Sequence, residues 1–313
     1  MTIVKQLLHK PRTPQELYSQ ASPETRAGKT IQHPLIRILV AISFLIPVLI
    51  LSKGMKAGLF PILSEDILIV ARYLDAMLFF LLFLAAFWLY AKRVEKRKAL
   101  EISSRGCLSE TGVGFLAAGI IVGLVVIVLA TTGCYTILGV TSSKRLVLDL
   151  FVRFFMGAFL EELLFRLIIF KLTEELLGTW IALLIQALLF GFAHAANENA
   201  TLFTSCAVAI VGGLPYTAAY VYSRSLWLPL GIHWGWNFLQ SGIFSMPNSG
   251  TPYQGLFMNI IAGPEWLTGG KFGIEASYLT ILLWLMAGMA LLFLGKKSSQ
   301  MVLPRWKRSV LSS

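Results

Sequence analysis

The chain alternates between long apolar runs and short polar connections. About 20 apolar residues are needed to cross a hydrocarbon core of about 30 Å as a helix. The runs that approach this length are 35–51, 68–91, 113–140, 148–172, 179–196, 202–222, 226–245 and 277–295. The run at 256–262 is too short to span and is expected at the membrane interface. The pattern therefore predicts an all-α polytopic membrane helix bundle with about eight transmembrane helices.

Composition supports a membrane protein. Hydrophobic residues make up 56% of the 313 positions, charged residues only 14%, and the mean hydropathy is +0.72. Soluble domains carry about 25% charged residues, so a water-soluble enzyme is not expected. A disordered chain is excluded because this much apolar surface must be buried. The three cysteines lie far apart and form no CxxC pair, so neither a disulfide framework nor a thiolate metal site is indicated.

The basic residues predict an orientation in the membrane. The net charge is +11, and the basic clusters lie beside apolar runs, at 92–98 and in the tail after residue 295. In contrast, Lys271 is the single cation of the segment 246–275. Cytoplasmic loops are enriched in Lys and Arg, so both termini are predicted to lie inside. This charge pattern indicates contact with lipid headgroups and no nucleic-acid partner.

Ionisable residues inside the predicted spans are functional candidates, because a charge there costs several kcal/mol. Arg72 and Asp75 are three residues apart and are expected to pair with each other. The sequence FLEELLFR places Glu161 and Glu162 near the middle of a span. Glu162 and Arg166 have the i, i+4 spacing of a helical ion pair. Glu161 points about 100° away, which leaves its carboxylate available for chemistry.

Two histidines also fall in predicted spans. His194 shares a helix face with Phe190, and His233 shares one with Asn237. Either histidine alone is as well explained by a structural hydrogen bond to a neighbouring helix. Together with Glu161 and Asn237, however, the two histidines make four costly polar groups on three helices, which predicts one shared cavity. Hydropathy alone puts His194 near the outer end of its helix and His233 nearer the inner end of its own.

Such a cavity has the groups needed to hydrolyse an amide. Glu161 and His194 could activate a water molecule, while His233 and Asn237 could donate hydrogen bonds to the developing oxyanion. The set Glu161, His194 and His233 also describes the ligands of a catalytic zinc site with an open position, although the HExxH motif is absent. No cofactor is expected otherwise, and metal dependence stays open at this point. No GxSxG motif supports a serine nucleophile.

These motifs resemble those of the CPBP family, the CAAX proteases and bacteriocin-processing enzymes also called Abi or type II CAAX prenyl endopeptidases. The family pattern is EExxxR, then FxxxH, then HxxxN or HxxxD on successive core helices. The corresponding segments here are 161–166, 190–194 and 233–237, all within residues 148–245. All anchor positions match, and in the same order.

The resemblance implies an intramembrane endopeptidase that acts on a peptide or protein at the bilayer. The resemblance assigns activation of the water molecule to Glu161 and His194. It assigns stabilisation of the oxyanion to His233 and Asn237. The remaining motif positions, expected in supporting roles, are Glu162, Arg166 and Phe190.

The predicted organisation is a polar cytosolic segment at 1–34, a transmembrane bundle at 35–296 with a protease-like core at 148–245, and a basic cytosolic tail at 297–313. Outside 148–245 the chain is expected to contribute only membrane helices. The short loops fit a bacterial inner membrane. Two other functions remain open: a non-catalytic immunity or scaffold protein that kept the fold, and a small-solute transporter. The intact motifs favour the protease, and a transporter would spread polar groups through both halves of the chain.

Overall fold

A computed structural model describes residues 12–311 of the chain. The first eleven residues, with Lys5 and Lys10 of the predicted cytosolic segment, and the last two lie outside the described residues. The helices are α1 (Arg26–Ile31), α2 (Pro34–Gly58), α3 (Glu65–Arg93), α4 (Cys107–Thr131), α5 (Lys144–Glu162), α6 (Lys171–Ala193), α7 (Leu202–Val208), α8 (Leu214–Ser223), α9 (Trp227–Asn237), α10 (Glu265–Thr268), α11 (Tyr278–Lys297) and α12 (Arg305–Leu311).

Short helical segments of other types complete these elements. Wider π-helical turns continue α5, α7 and α9, at Leu163–Phe170, Ala209–Gly213 and Phe238–Ile243. Single 3₁₀ turns occur at Pro14–Leu17, Phe60–Ile62, Leu100–Ile102, Gly270–Phe272 and Ile274–Ala276. The strands are β1 (Tyr135–Val140) and β2 (Phe257–Ile261).

The prediction of an all-α polytopic membrane bundle is confirmed. Within residues 12–311, six helical segments are long and apolar enough to cross a membrane: Pro34–Ile62, Ile67–Arg93, Cys107–Thr131, Lys144–Ala193, Leu202–Ser223 and Tyr278–Lys297. The chain is an integral membrane protein.

The segment Lys144–Ala193 contains two of the eight apolar runs, and its 50 residues are long enough for two crossings. The helix is interrupted between these runs at Gly178, with φ 76° and ψ 168°. One other run departs from the prediction. The helix α9 has 11 residues and its π-helical continuation 6, which is short of the roughly 20 needed to cross the bilayer. All eight runs are nonetheless at least partly helical.

Two apolar runs form a small sheet that hydropathy did not predict. The run 113–140 is helical only to Thr131; after Gly133, with φ 73°, the chain continues as β1. This strand pairs antiparallel with β2, with Tyr135 opposite Ile261. The run at 256–262, expected at the membrane interface, is thus the second strand of this pair.

The short helix α9 is packed tightly against α4, and this contact positions two of the candidate residues. A Cβ atom on Gly231 would lie 2.1 Å from the carbonyl oxygen of Thr111, and one on Gly235 would lie 2.9 Å from Cα of Phe115. Only glycine allows the two backbones to approach this closely. Because α9 is nearly buried, His233 and Asn237 are held among neighbouring helices.

A buried ion network joins α2, α3 and α6 at one end of the bundle. The Glu95 carboxylate lies 2.9 Å from Arg37, and its Oε2 lies 2.7 Å from both Arg97 and Lys171. Burial by itself would raise the pKa of Glu95, but Lys171, Arg97 and Arg37 together lower it from 4.5 to about 2. The basic segment 92–98 was expected to contact headgroups, and Arg97 instead pairs inside the protein. Its remaining cations are exposed: Lys92, Arg93, Lys96 and Lys98.

The expected pair of Arg72 with Asp75 is not formed. Asp75 instead lies 3.2 Å from Lys56 of α2. The spacing along α3 allowed an intrahelical pair, but the end of α2 brings a second cation to the same carboxylate.

Candidate active site

The four predicted site residues line one cavity of about 330 Å³. Glu161 lies on α5, His194 directly follows α6, and His233 and Asn237 lie on α9. The two histidines are not at opposite ends of the bundle, as hydropathy suggested, because α9 is a short helix set between its neighbours. The Phe190 ring contacts both, with centroid distances of 5.0 Å to His194 and 5.9 Å to His233.

Glu162 and Arg166 form the predicted ion pair. Both side chains are fully buried, and Arg166 Nη1 donates to Glu162 Oε1 at 3.0 Å. Arg166 Nη2 also donates to the carbonyl oxygen of Gly212 at 3.0 Å. The π-helical segment that contains Arg166 begins directly after Glu162, and such widened turns are frequent at functional sites.

Glu162 has a second contact that the sequence did not indicate. Its Oε1 accepts a hydrogen bond from Nδ1 of His233 at 2.8 Å. A carboxylate can only accept, so Nδ1 of His233 carries a proton. This contact fixes the ring and directs Nε2 towards Glu161, whose Oε2 is 3.8 Å away. Glu162 therefore links the structural cation Arg166 to a histidine of the cavity.

Two aromatic rings hold this polar cluster in place. The Arg166 guanidinium lies 4.5 Å from the ring centroid of Phe190 and 5.3 Å from that of Tyr216. Tyr216 also stacks on His233, with centroids 4.6 Å apart and an interplanar angle of 23°. Phe190, which was expected in a supporting role, thus contacts Arg166 as well as both histidines. Tyr216 belongs to no motif, so no sequence pattern singled it out.

The Glu161 carboxylate faces His233 but forms no direct hydrogen bond with it. Its side chain is 37% exposed, yet Oε2 is buried and makes no hydrogen bond to any residue of 12–311. At 3.8 Å, Oε2 and His233 Nε2 are too far apart for a good direct hydrogen bond. A water molecule can bridge a gap of this size.

His194 presents a hydrogen-bond acceptor to the cavity. Its Nδ1 lies 2.8 Å from the carbonyl oxygen of Phe190 one turn earlier. Because a carbonyl oxygen only accepts, Nδ1 is the protonated nitrogen, and in the neutral ring Nε2 keeps its lone pair. The Asn237 side chain lines the same cavity and makes no hydrogen bond within the described chain, so its amide group is available as a donor.

The segment 244–276, here called the cap loop, supplies a wall of the cavity. The expectation that residues after 245 contribute only membrane helices is therefore wrong. Cap-loop residues that line the cavity are Asn248, Ser249, Thr251, Tyr253 and Glu275. No motif marks them, and they reach the site only through the tertiary fold.

Glu275 is a third carboxylate at this cavity. Its Oε2 accepts from the backbone N–H of Ser249 at 2.5 Å and from the Ser249 hydroxyl at 2.9 Å, and Trp236 Nε1 lies 3.4 Å from its Oε1. Burial raises the pKa of Glu275, and nearby His194 opposes this increase. The Ser249 carbonyl oxygen accepts a hydrogen bond from Asn197 at 2.9 Å. Through Ser249, Glu275 is thus linked to the segment that carries His194.

The candidate metal ligands do not form a metal site in this arrangement. In the part of the chain that is described, no three His, Cys, Asp or Glu side chains are placed to hold one ion. No catalytic step is therefore derived through a metal.

Comparison with known families finds a similarity that covers the helical core. Residues 143–239, which contain all three motifs, match the family described as type II CAAX prenyl endopeptidase Rce1-like. This segment is thus similar to the CAAX-type endopeptidase family, in agreement with the resemblance carried by the motifs.

A similar protein is "Putative membrane peptidase YdiL" of Bacillus subtilis (strain 168). The two chains are 33% identical over 79 residues, which cover 25% of this chain and 29% of the relative. No solved structure matches the chain.

Proposed function

We propose that the protein is an intramembrane endopeptidase that hydrolyses a peptide bond of a membrane-associated peptide or protein. The observation that carries this proposal is the single cavity shared by Glu161, His194, His233 and Asn237. It combines the Glu161 carboxylate, which accepts no hydrogen bond at its buried oxygen from the described residues, with the His194 imidazole and with hydrogen-bond donors, and it lies in a bundle of apolar helices. The family match over residues 143–239 supports the same class of reaction.

In this mechanism Glu161 is the general base. A water molecule held between Glu161 and His194 Nε2 gives a proton to Glu161 while its oxygen attacks the carbonyl carbon of the substrate. The carbonyl oxygen takes up the negative charge and accepts hydrogen bonds from Asn237 and His233. When the C–N bond breaks, the leaving nitrogen takes the proton from Glu161. The products are a free carboxylate and an amine.

The contact between Glu162 and His233 sets a condition on this mechanism. Nδ1 of His233 donates to Glu162, so Nε2 can donate to the oxyanion only when the ring carries both protons. Glu161 and Glu162 both lie beside this ring, and a positive charge there is matched by their negative charges. Glu162 is therefore proposed as a positioning residue for His233.

The substrate side and the membrane orientation are part of the proposal. We place both termini in the cytoplasm of a bacterial cell, supported by the exposed cations of 92–98. The surrounding partner is membrane lipid, and the substrate is a peptide or protein at the bilayer. Water activation by Glu161 needs no metal, and a chelator tests the zinc-dependent alternative.

The test is a cleavage assay with the purified full-length protein in nanodiscs. A library of amphipathic peptides, with and without a prenyl group, is incubated with wild type, Glu161→Ala and Glu198→Gln, and products are identified by mass spectrometry. Glu198 is an exposed acid that does not line the cavity, so its variant is the matched control.

Cleavage by wild type and Glu198→Gln, but not by folded Glu161→Ala, is expected, and it should persist with a chelator. Loss of cleavage with chelator and recovery with zinc would overturn the metal-independent mechanism. Equal cleavage by all three proteins would show that this site does not carry the activity.

A further inference from the structure

A second cavity, of about 680 Å³, lies between α2, α3 and α5. Its size is within the range of about 300–1,000 Å³ that is common for ligand sites. None of the four candidate catalytic residues lines it. The inference below therefore does not depend on the proposed endopeptidase activity.

The cavity is polar at one end and apolar at the other. Along α3 its lining changes from Arg72 and Asp75 to Phe79 and Phe83, and α2 and α5 show the same change in the same direction. The polar end is formed by Lys56, Arg72, Tyr73, Asp75, Asp149 and Arg153. The apolar end is formed by Leu49, Phe79, Phe83, Met156 and Leu160. An amphiphile with one charged group and one chain matches this distribution.

The two acids at the polar end already have partners. Asp75 lies 3.2 Å from Lys56, and Asp149 accepts from the Tyr73 hydroxyl at 2.7 Å. Asp149 is also 3.9 Å from Arg145. Both carboxylates at the polar end are therefore already bound to other side chains.

Arg72 and Arg153 are left as cations without a carboxylate partner. Neither has a carboxylate oxygen within 4.0 Å in the described part of the chain. Arg153 lies 5.6 Å from the ring centroid of Tyr253, a contact that leaves its charge unneutralised. Both side chains are exposed on helices that are apolar enough to span the membrane. Arginines in such positions are expected to face an anionic group.

We propose that this cavity binds one phospholipid molecule, with its phosphate between Arg72 and Arg153 and an acyl chain along Leu49, Met156 and Leu160. A phospholipid supplies both features of the cavity, whereas inorganic phosphate would leave the apolar end unfilled. The lipid would complete the packing between α2, α3 and α5, which only partly contact one another around the cavity. The two arginines favour a ligand with a phosphate group, and the apolar wall favours a ligand with an acyl chain.

The test is a titration of the detergent-purified full-length protein with dioleoyl phosphatidylglycerol, followed by native mass spectrometry. Wild type is compared with Arg72→Gln/Arg153→Gln. The double variant is expected to raise the Kd about 25-fold, because each cation near a phosphate contributes about a factor of five. The matched control is Arg305→Gln/Lys307→Gln, which removes two exposed cations from α12 and should leave the Kd within about threefold of wild type.

A second pair of variants tests the apolar end without changing charge. Ala76→Phe places a ring in the cavity, while Ala85→Phe makes the same change on the exposed face of the same helix. Ala76→Phe should weaken lipid retention and Ala85→Phe should not. This pair remains informative if the arginine variant fails to fold.

Several results would overturn the proposal. One is an equal Kd for wild type and the double arginine variant. Another is binding of dioleoylglycerol, which lacks the phosphate, as tightly as phosphatidylglycerol. Equal loss of binding in Ala76→Phe and Ala85→Phe would place the acyl chain elsewhere, and equal loss in the α12 control would indicate general surface attraction.

Discussion

The Glu162→Gln substitution is expected to lower the free energy of unfolding by about 3–5 kcal/mol, the usual cost of removing one partner of a buried ion pair. Glu162 and Arg166 are both fully buried, and Glu162 Oε1 accepts from Arg166 and from His233. In the variant the Arg166 charge keeps only neutral carbonyl acceptors in an apolar environment. For 313 residues, this loss corresponds to a decrease in Tm of about 5–8 °C.

Glu161→Gln is the matched control because it makes the same chemical change at the adjacent residue. Glu161 is 37% exposed, and its buried Oε2 accepts no hydrogen bond within residues 12–311. Its Tm should therefore stay within about 1 °C of wild type, as for substitutions without a structural partner. Its catalytic rate should nevertheless fall by about 10²–10⁴, the contribution of a general base.

The assay is thermal unfolding of both variants and wild type in one detergent, followed by tryptophan fluorescence. A rescue variant, Glu162→Gln/Arg166→Met, removes the stranded cation and should recover part of the lost stability. If the Tm of Glu162→Gln equals that of wild type, the ion pair does not stabilise the bundle. If Glu161→Gln melts as low as Glu162→Gln, the division of the two carboxylates into a structural and a chemical group is incorrect.

Three further predictions concern other residues. Asn237→Ala should lower kcat by about 10²–10³ with little change in Tm, since it removes one oxyanion donor, and an unchanged kcat would remove it from the site. Glu275→Ala should raise KM more than it lowers kcat, because it frees Ser249 and the cap loop; a loss in kcat alone would contradict this positioning role. The pKa of Glu95 is lowered from 4.5 to about 2, so its ion network stabilises the protein above about pH 4.5, and this contribution is lost as pH falls towards 2. Between pH 5 and 3 the Tm of wild type should thus fall more steeply than that of Glu95→Gln, and parallel curves would refute the network's role.

Local patterns in the sequence were sufficient to predict much of the fold and of the candidate site. The i, i+4 spacing predicted the pair of Glu162 with Arg166, and the polar residues of three apolar runs predicted a shared cavity. Glycines four residues apart, as at 231 and 235, also favour close helix packing, and α9 and α4 pack in this way. These features depend on helical periodicity, which the sequence displays directly.

Contacts between distant segments could not be predicted in the same way. Asp75 pairs with Lys56 because the end of α2 lies beside α3. The spacing of residues along one helix cannot predict which other helix lies next to it. Glu275 reaches the cavity from the cap loop, and its hydrogen bonds to Ser249 depend on how that loop folds. Hydropathy likewise could not distinguish the strand β1 from the last turns of a helix, because both are apolar.

The most direct test of the proposed function is the cleavage rate of Glu161→Gln relative to wild type, on a peptide that the nanodisc library identifies. Both proteins are compared at equal concentrations of folded protein, with Glu198→Gln as the control. A decrease of about 10²–10⁴ in Glu161→Gln, with wild-type rates in the control, is the predicted result. A Glu161→Gln rate equal to that of wild type would contradict the assignment of Glu161 as the base and with it the proposed mechanism.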